Sequence, residues 1–297
     1  MNQHAKGYLY VIISAIIFGC MPLGAKFIYA NGVNALSLVF YRNCMALPLM
    51  ALIMFLRKES FHVTFRQFRQ ISCLAAAGCA VTPSLLFLSY NYISSGIATT
   101  SHFIYPAAVI FGGALFFREK IRPGQVFCVA LCTLGVSLFY SSGSGLHPLG
   151  SVLALTSGIT YAAYILLLAN SGLKALSGIK MGFFVALSCS LLMFVICIAS
   201  GQFTLPANLS CWIACFIFSA ALCVGAVLLF QKGTFLIGGQ RASILSTFEP
   251  ITSILVGVLV FGEPFGFRTF LGGTCVIASA ILIALLDMRA SHAKETV

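Results

Sequence analysis

The chain is a succession of apolar runs, each about as long as a bilayer is thick, parted by short breaks. A helix needs about 20 apolar residues to cross the hydrocarbon core. Such runs lie at 7–29, 34–56, 70–90, 95–117, 123–141, 149–169, 178–200, 209–231, 239–261 and 267–287. The breaks carry turn-forming residues, as at Asn31-Gly32, Ser94-Ser95-Gly96, Arg122-Pro123-Gly124, Ser142-Gly143-Ser144-Gly145 and Pro206-Ala207-Asn208. At roughly 28–30 residues for a span and its loop, ten spans use up the chain and leave no room for a soluble domain. The runs are continuous rather than alternating, which excludes a membrane β-barrel. Charged residues make up 8% of the chain, too few to cover a soluble fold of this size. The expected fold class is therefore all-α integral membrane, with ten transmembrane helices.

Composition also excludes much chemistry. There is one Asp (Asp287) and five Glu, so no paired-Asp magnesium site for a diphosphate can be built. No P-loop, HExxH or CxxC motif occurs. The twelve Cys fall inside apolar runs and read as small buried hydrophobes rather than a disulfide framework. No cofactor, no metal and no enzymatic activity are expected. A membrane enzyme acting on lipid-linked substrates would need a metal or nucleophile cluster that the sequence does not offer.

The net charge of +11 marks orientation, not nucleic-acid binding. With the N-terminus in the cytoplasm, fourteen of the seventeen basic residues fall on inner segments and one, Arg268, on an outer loop. Lys26 and Arg42 lie within spans. Both termini are expected in the cytoplasm, with the chain a multi-pass protein of the plasma membrane. The first run follows Lys6 as a signal peptide's core would. Its apolar stretch continues to Tyr29 with no clean cleavage site, so it is expected to remain as span 1.

The sequence repeats itself. At an offset of 144 residues, Ala98 meets Ala242, Pro106 meets Pro250, Gly113 meets Gly257 and Glu119 meets Glu263. Near the start of each half the offset is 143, pairing Gly7 with Gly150, Ser14 with Ser157 and Phe18 with Tyr161. Two units are expected, 1–145 and 146–297, of five spans each. Five is odd, so the second enters the membrane the other way round. Such inverted repeats are typical of secondary transporters, whose site lies near the midplane between the halves.

These residues carry a resemblance. Phe18-Gly19 through Lys26, Tyr41-Arg42, Tyr105-Pro106 to Glu119, Glu249-Pro250 to Gly262-Glu263, and Gly272 resemble the drug/metabolite transporter superfamily, EamA type, over nearly the full length. The resemblance implies a ten-helix inner-membrane carrier exporting small metabolites, amino acids among them, through a central cavity open to one side at a time. The second half departs from the pattern in span 7, where no Arg answers Arg42.

A charge at mid-bilayer costs about 2.5–3.5 kcal/mol on insertion scales, so it should face protein or a wet cavity. Glu249 lies about ten residues into span 9. Pro250 beside it is expected to kink the helix and free a carbonyl. Glu249 then reads as a site for a cation or a proton, against a paired structural carboxylate. By the repeat, His102 answers Ser246 and Tyr105 answers Glu249. His102 titrates near neutrality and suits proton coupling. Pro106 and Pro250 read as hinges or kinks. Ser157, Tyr161 and Tyr164 share one face of span 6, answered in the repeat by Ser14, Phe18 and Met21 of span 1, and suit cavity lining as well as they suit helix packing. Arg42 suits a carboxylate, or an ion pair with Glu249. Lys26, near the outer end of span 1, reads as snorkelling to the interface. Glu119 and Glu263 read as helix-end residues.

The expected substrate-binding set is thus Glu249, His102, Tyr105, Tyr161, Tyr164, Ser157, Ser246, Arg42 and Phe18. The expected function is a secondary transporter, an exporter of a small metabolite such as an amino acid, working by alternating access with protons as coupling ion. Efflux of lipophilic or quaternary cations is the alternative, through cation–π attraction to the Tyr faces. The expected partners are a small-molecule substrate, the lipid bilayer and protons, with no nucleic acid, in a monomer or homodimer.

Overall fold

A computed structural model describes residues 3–118, 123–140, 147–169, 173, 176–237, 245–246, 248–263 and 265–295. Glu119, Arg241 and the Ser142–Gly145 break lie outside the described residues, as does the side chain of Pro106. Every regular element among the described residues is helical. The protein is an all-α membrane protein of ten spans in two inverted repeats.

Several of the spans are interrupted rather than simple rods. Span 1 is Gln3–Gly19 and Met21–Ala30, and span 2 is Ala35–Cys44 and Ala46–Leu56. Span 3 runs as Phe65–Leu74, a π-helical stretch Ala75–Val81, and Thr82–Ser89. Span 4 is Ser95–His102 and Tyr105–Phe117; spans 5, 6 and 7 are Pro123–Tyr140, Pro148–Ala169 and Gly178–Ala199. Span 8 is Leu209–Ser219, a second π-helical stretch Ala220–Ala226, and Val227–Ile237. The described helix of span 9 is Phe248–Phe261, and span 10 is Phe267–Glu295. Among the described residues seven helical stretches, Ala5–Ala30 and Leu209–Gly233 among them, are long and apolar enough to cross a bilayer, while Pro123–Gly135 and Phe248–Phe261 are shorter apolar helices. Phe116, Leu209 and Leu259 are exposed on the outside of the bundle. Lipid tails accept such a surface and water does not.

The repeat is visible in local geometry. The two π-helical stretches begin 145 residues apart, at Ala75 and Ala220. Span 2 ends on Lys58 in the left-handed region (φ 55°), with the Glu59 amide on the Met54 carbonyl; span 7 ends on Gly201 (φ 64°), with the Gln202 amide on the Cys197 carbonyl. Both are helix stops that satisfy orphan carbonyls through a left-handed residue. Thr64 then caps span 3 by accepting from the Gln67 amide, and Asn208 caps span 8 by accepting from the Cys211 amide.

Packing follows the same symmetry. Span 1 packs on spans 8 and 9, and span 6 on spans 3 and 4. Spans 2 and 7, 4 and 9, and 5 and 10 pair with their own counterparts. Glycines set the closest crossings. A Cβ on Gly19 would lie 2.7 Å from the Glu249 carbonyl, and one on Gly135 would lie 2.7 Å from the Gly272 carbonyl. Small residues let membrane helices approach this closely.

On the face that carries residues 31–34 and 201–208, polar contacts join the halves. Asn34 Nδ2 donates to the Gln202 carbonyl, Tyr41 OH to the Thr204 carbonyl, and Asn208 Nδ2 to Asn31 Oδ1. Lys26 does not snorkel. Its Nζ lies 2.6 Å from Glu263 Oε1 and 4.1 Å from the Phe261 ring centre. A carboxylate and an aromatic face within reach hold the ammonium against the protein. The Ser95 amide (2.9 Å) and hydroxyl (2.7 Å) and the Gly96 amide (3.3 Å) donate to the same carboxylate, which thus caps the start of span 4.

Partial burial alone would raise the Glu263 carboxyl, but the Lys26 ammonium and the Ser95 donors outweigh it and hold the group below its usual value. A depressed folded value stabilises fully above the unfolded value of about 4.3 and is lost as the pH falls through the folded one. The apparent melting temperature in detergent should therefore drop as pH is lowered below that range. In Glu263→Gln the acid drop should be smaller, from a lower starting point at pH 7. Equal acid losses in the two proteins would show that the clamp is not their source.

Candidate functional site

Spans 4 and 9 break at matching places. In span 4, Ser95–His102 ends at Phe103, and Tyr105–Phe117 starts with a proline in its first turn. In span 9, Ser246 lies in a turn, and Glu249 and Pro250 fall in the first turn of Phe248–Phe261. The mid-helix kink expected at Pro250 is thereby corrected. A proline in the first turn removes no helical hydrogen bond, because that amide has no partner there. The Ser246 carbonyl, four residues before Pro250, is not free either; it accepts from the Glu249 amide at 3.0 Å. Glu249 instead sits at a helix N-terminus, where the helix dipole favours a negative charge.

Around these breaks the aromatic and polar groups of both halves converge. His102 is buried, with Nδ1 2.8 Å from Ser157 Oγ. Ser157 spends its own proton on the Ala154 carbonyl at 2.6 Å. The hydroxyl can then only accept from His102, which assigns the proton to Nδ1 and leaves Nε2 as the basic nitrogen. The His102 ring is 5.8 Å from Tyr105 and 5.5 Å from Tyr161. Tyr105 and Tyr161 meet edge to face at 4.9 Å, and Tyr161 stacks on Tyr164 at 5.9 Å. The Tyr105 side chain is hydrogen-bonded to Ser246. Gly78 makes room for the Tyr164 ring, and Gly158 for the His102 carbonyl, 2.6 Å from the position of a Cβ. Phe18 is half-buried and packs on the main core, and Ser157 is fully buried behind His102.

Two charges stand at this level. Glu249 is half-buried, and its carboxylate makes no hydrogen bond among the described residues. Arg42, also half-buried, closes the first helix of span 2. Its Nε donates to Cys223 Sγ at 3.4 Å, and no described carboxylate lies within 4 Å of it. The ion pair with Glu249 that the sequence allowed does not form, although the two charges interact through space. Both lie within electrostatic reach of Tyr90 and Tyr161.

Cysteines contribute more than the sequence suggested. Pro83 has no amide to offer the Cys79 carbonyl four residues earlier, and Cys189 Sγ donates to that carbonyl at 3.1 Å. Cys223 Sγ and Ser219 Oγ serve the Arg42 carbonyl at 3.4 and 2.6 Å. Cys79 and Cys223 lie in the π-helical stretches, and single π turns recur at functional sites. The matched small-residue runs of spans 3 and 8 were the sequence signal. Among the described residues no three His, Cys, Asp or Glu side chains gather to hold a metal.

Comparison with known proteins agrees with this architecture. A family model described as the EamA-like transporter family matches residues 5–141 and, a second time, residues 148–285. An uncharacterized inner membrane transporter of Salmonella typhimurium, YicL, is 26% identical over 99% of this chain and all of its own length. An uncharacterized transporter of Bacillus subtilis, YcbK, is 25% identical over 92% of this chain and 90% of its own. A WAT1-related protein of Arabidopsis thaliana, At5g64700, is 29% identical over 40% of this chain and 34% of its own. A solved crystal structure, 14% identical, shares the fold with a TM-score of 0.66, covering 96% of this chain and 99% of that one.

Proposed function

The chain belongs to the EamA-like transporter family, and on that premise we propose that it is a proton-coupled secondary transporter exporting a small zwitterionic metabolite such as an amino acid. One observation carries the substrate class. Two opposite charges, Arg42 and Glu249, stand half-buried at the level of the helix breaks, each without a charged partner within 4 Å among the described residues. Leaving both unpaired in the membrane is expensive, and a ligand bearing a carboxylate and an ammonium relieves both. A guanidinium matches a carboxylate in two-pronged geometry. Tyr105, Tyr161 and Tyr164 offer aromatic surface to the substrate's remaining part. Repeat halves rocking about this site would expose it to each face in turn. The bias of basic residues supports an inner-membrane placement with both termini in the cytoplasm.

The tyrosine cluster beside one carboxylate also favours a second reading, efflux of lipophilic or quaternary cations. A thermal-shift panel on purified protein separates the two, since a ligand of the folded state raises its stability by mass action. Free amino acids should raise the melting temperature. Amino acid amides, which lack the carboxylate, and N-acetyl amino acids, which lack the ammonium, should not, and Arg42→Gln should abolish the shift. Stabilisation by tetraalkylammonium salts with none from amino acids would overturn the zwitterion in favour of the cation.

A further inference from the structure

Among the described residues the Glu263 carboxylate takes four hydrogen bonds, and each of these donors comes from the other half of the molecule. Lys26 belongs to span 1, and Ser95 and Gly96 to the first turn of span 4. Spans 4 and 9 close together just behind it. A Cβ on Gly96 would lie 3.1 Å from the Ile254 Cα, and Ser253 Oγ donates to Thr99 Oγ1 at 3.0 Å. The space left there, lined by Gly96, Thr100, Ile254 and Glu263, amounts to about 10 Å³. That is the bare minimum for a single water and far below a metabolite. The position 143 residues beyond Lys26 is Ala169, so the repeat supplies no second ammonium at the matching place.

We propose that the Lys26–Glu263–Ser95 clamp is the gate on the outer face, shut in this conformation, and that Glu263 must release span 4 and Lys26 together for the halves to part there. Lys26 and Glu263 are then positioning residues of the transport cycle, not substrate ligands. This rests on the alternating-access reading given above. Opening outward is then the step that breaks these charged hydrogen bonds.

Thiol labelling tests it without any substrate. Cys79 is half-buried inside the bundle, within reach of the Arg42 charge, while Cys215 of span 8 is fully buried in the packed core. A small membrane-impermeant methanethiosulfonate is added to right-side-out vesicles, and each cysteine is followed by mass spectrometry. Cys79 should react slowly in the wild type. In Glu263→Gln and Lys26→Ala it should react at least about tenfold faster, the change expected from losing one hydrogen bond to a charged group in the shut state. Lys26→Arg, which can renew the ion pair, should react as the wild type does. An unchanged Cys79 rate in both variants overturns the gate. So does a Cys215 rate that rises in step, because the fold as a whole would then have loosened. The substrate reading is decided separately by the thermal-shift panel, so either proposal can fail while the other stands.

Discussion

Replacing Glu249 with Gln should remove proton-driven accumulation while leaving the carrier folded and able to exchange. The carboxylate stands in the first turn of Phe248–Phe261, half-buried, with no hydrogen bond among the described residues. A charge so placed is costly to carry across unless substrate or proton neutralises it. Gln keeps the shape of the protonated carboxyl and cannot give the proton up. Substrate can still cross with the rocking halves, yet no proton need cross with it. One unit of pH is worth about 1.36 kcal/mol per proton, so one coupled proton supports up to about tenfold accumulation. In proteoliposomes holding a one-unit gradient, the wild type should approach that ratio for the amino acid that gives the largest thermal shift. Glu249→Gln should equilibrate it to a ratio of one and still exchange labelled for unlabelled substrate. A variant that accumulates like the wild type would remove Glu249 from coupling.

Much of this frame is legible in the sequence, because the signals for it are local or periodic. Bilayer thickness sets the run length, and the repeat needs only a fixed offset. The repeat also matches Tyr105-Pro106 to Glu249-Pro250 by offset alone. Whether a proline kinks a helix or begins a new one is decided by neighbouring helices, and here Gly158 of span 6 presses on the carbonyl at the break of span 4. The Lys26–Glu263 clamp is less legible still. Its partners are 237 residues apart, and snorkelling satisfies Lys26 just as well when span 1 is read alone. Cysteine in an apolar run reads as a small hydrophobe, and most of the twelve are buried accordingly. Cys223 nonetheless holds Arg42, because an apolar span offers few other groups to meet a guanidinium.

Gly158 is the position where one added methyl group should do the most structural harm. Its Cβ would lie 2.6 Å from the His102 carbonyl oxygen and 2.8 Å from Ile104 Cγ2. The backbone there cannot yield freely. The Phe103 amide is bonded to the Thr99 and Thr100 carbonyls, and the Ile104 amide to that of Ser101. Neighbouring Ser157 carries the hydrogen bond that sets the His102 tautomer, so span 6 cannot retreat without drawing that contact apart. Gly182, inside span 7, is the internal control: its Cβ would meet only the flexible end of Met50, at 3.6 Å. Alanine is preferred over glycine inside a helix by about 1 kcal/mol, so Gly182→Ala should be neutral or stabilising. Gly158→Ala has the same propensity gain, but overpacking typically costs about 1–3 kcal/mol, and the larger Gly158→Val more. The apparent melting temperature should fall in the order Gly182→Ala, Gly158→Ala, Gly158→Val, and the amino-acid thermal shift should weaken in the two Gly158 variants. If Gly158→Ala melts no lower than Gly182→Ala, spans 4 and 6 do not meet at the break as described. His102 would then lose the packing that fixes its place in the site.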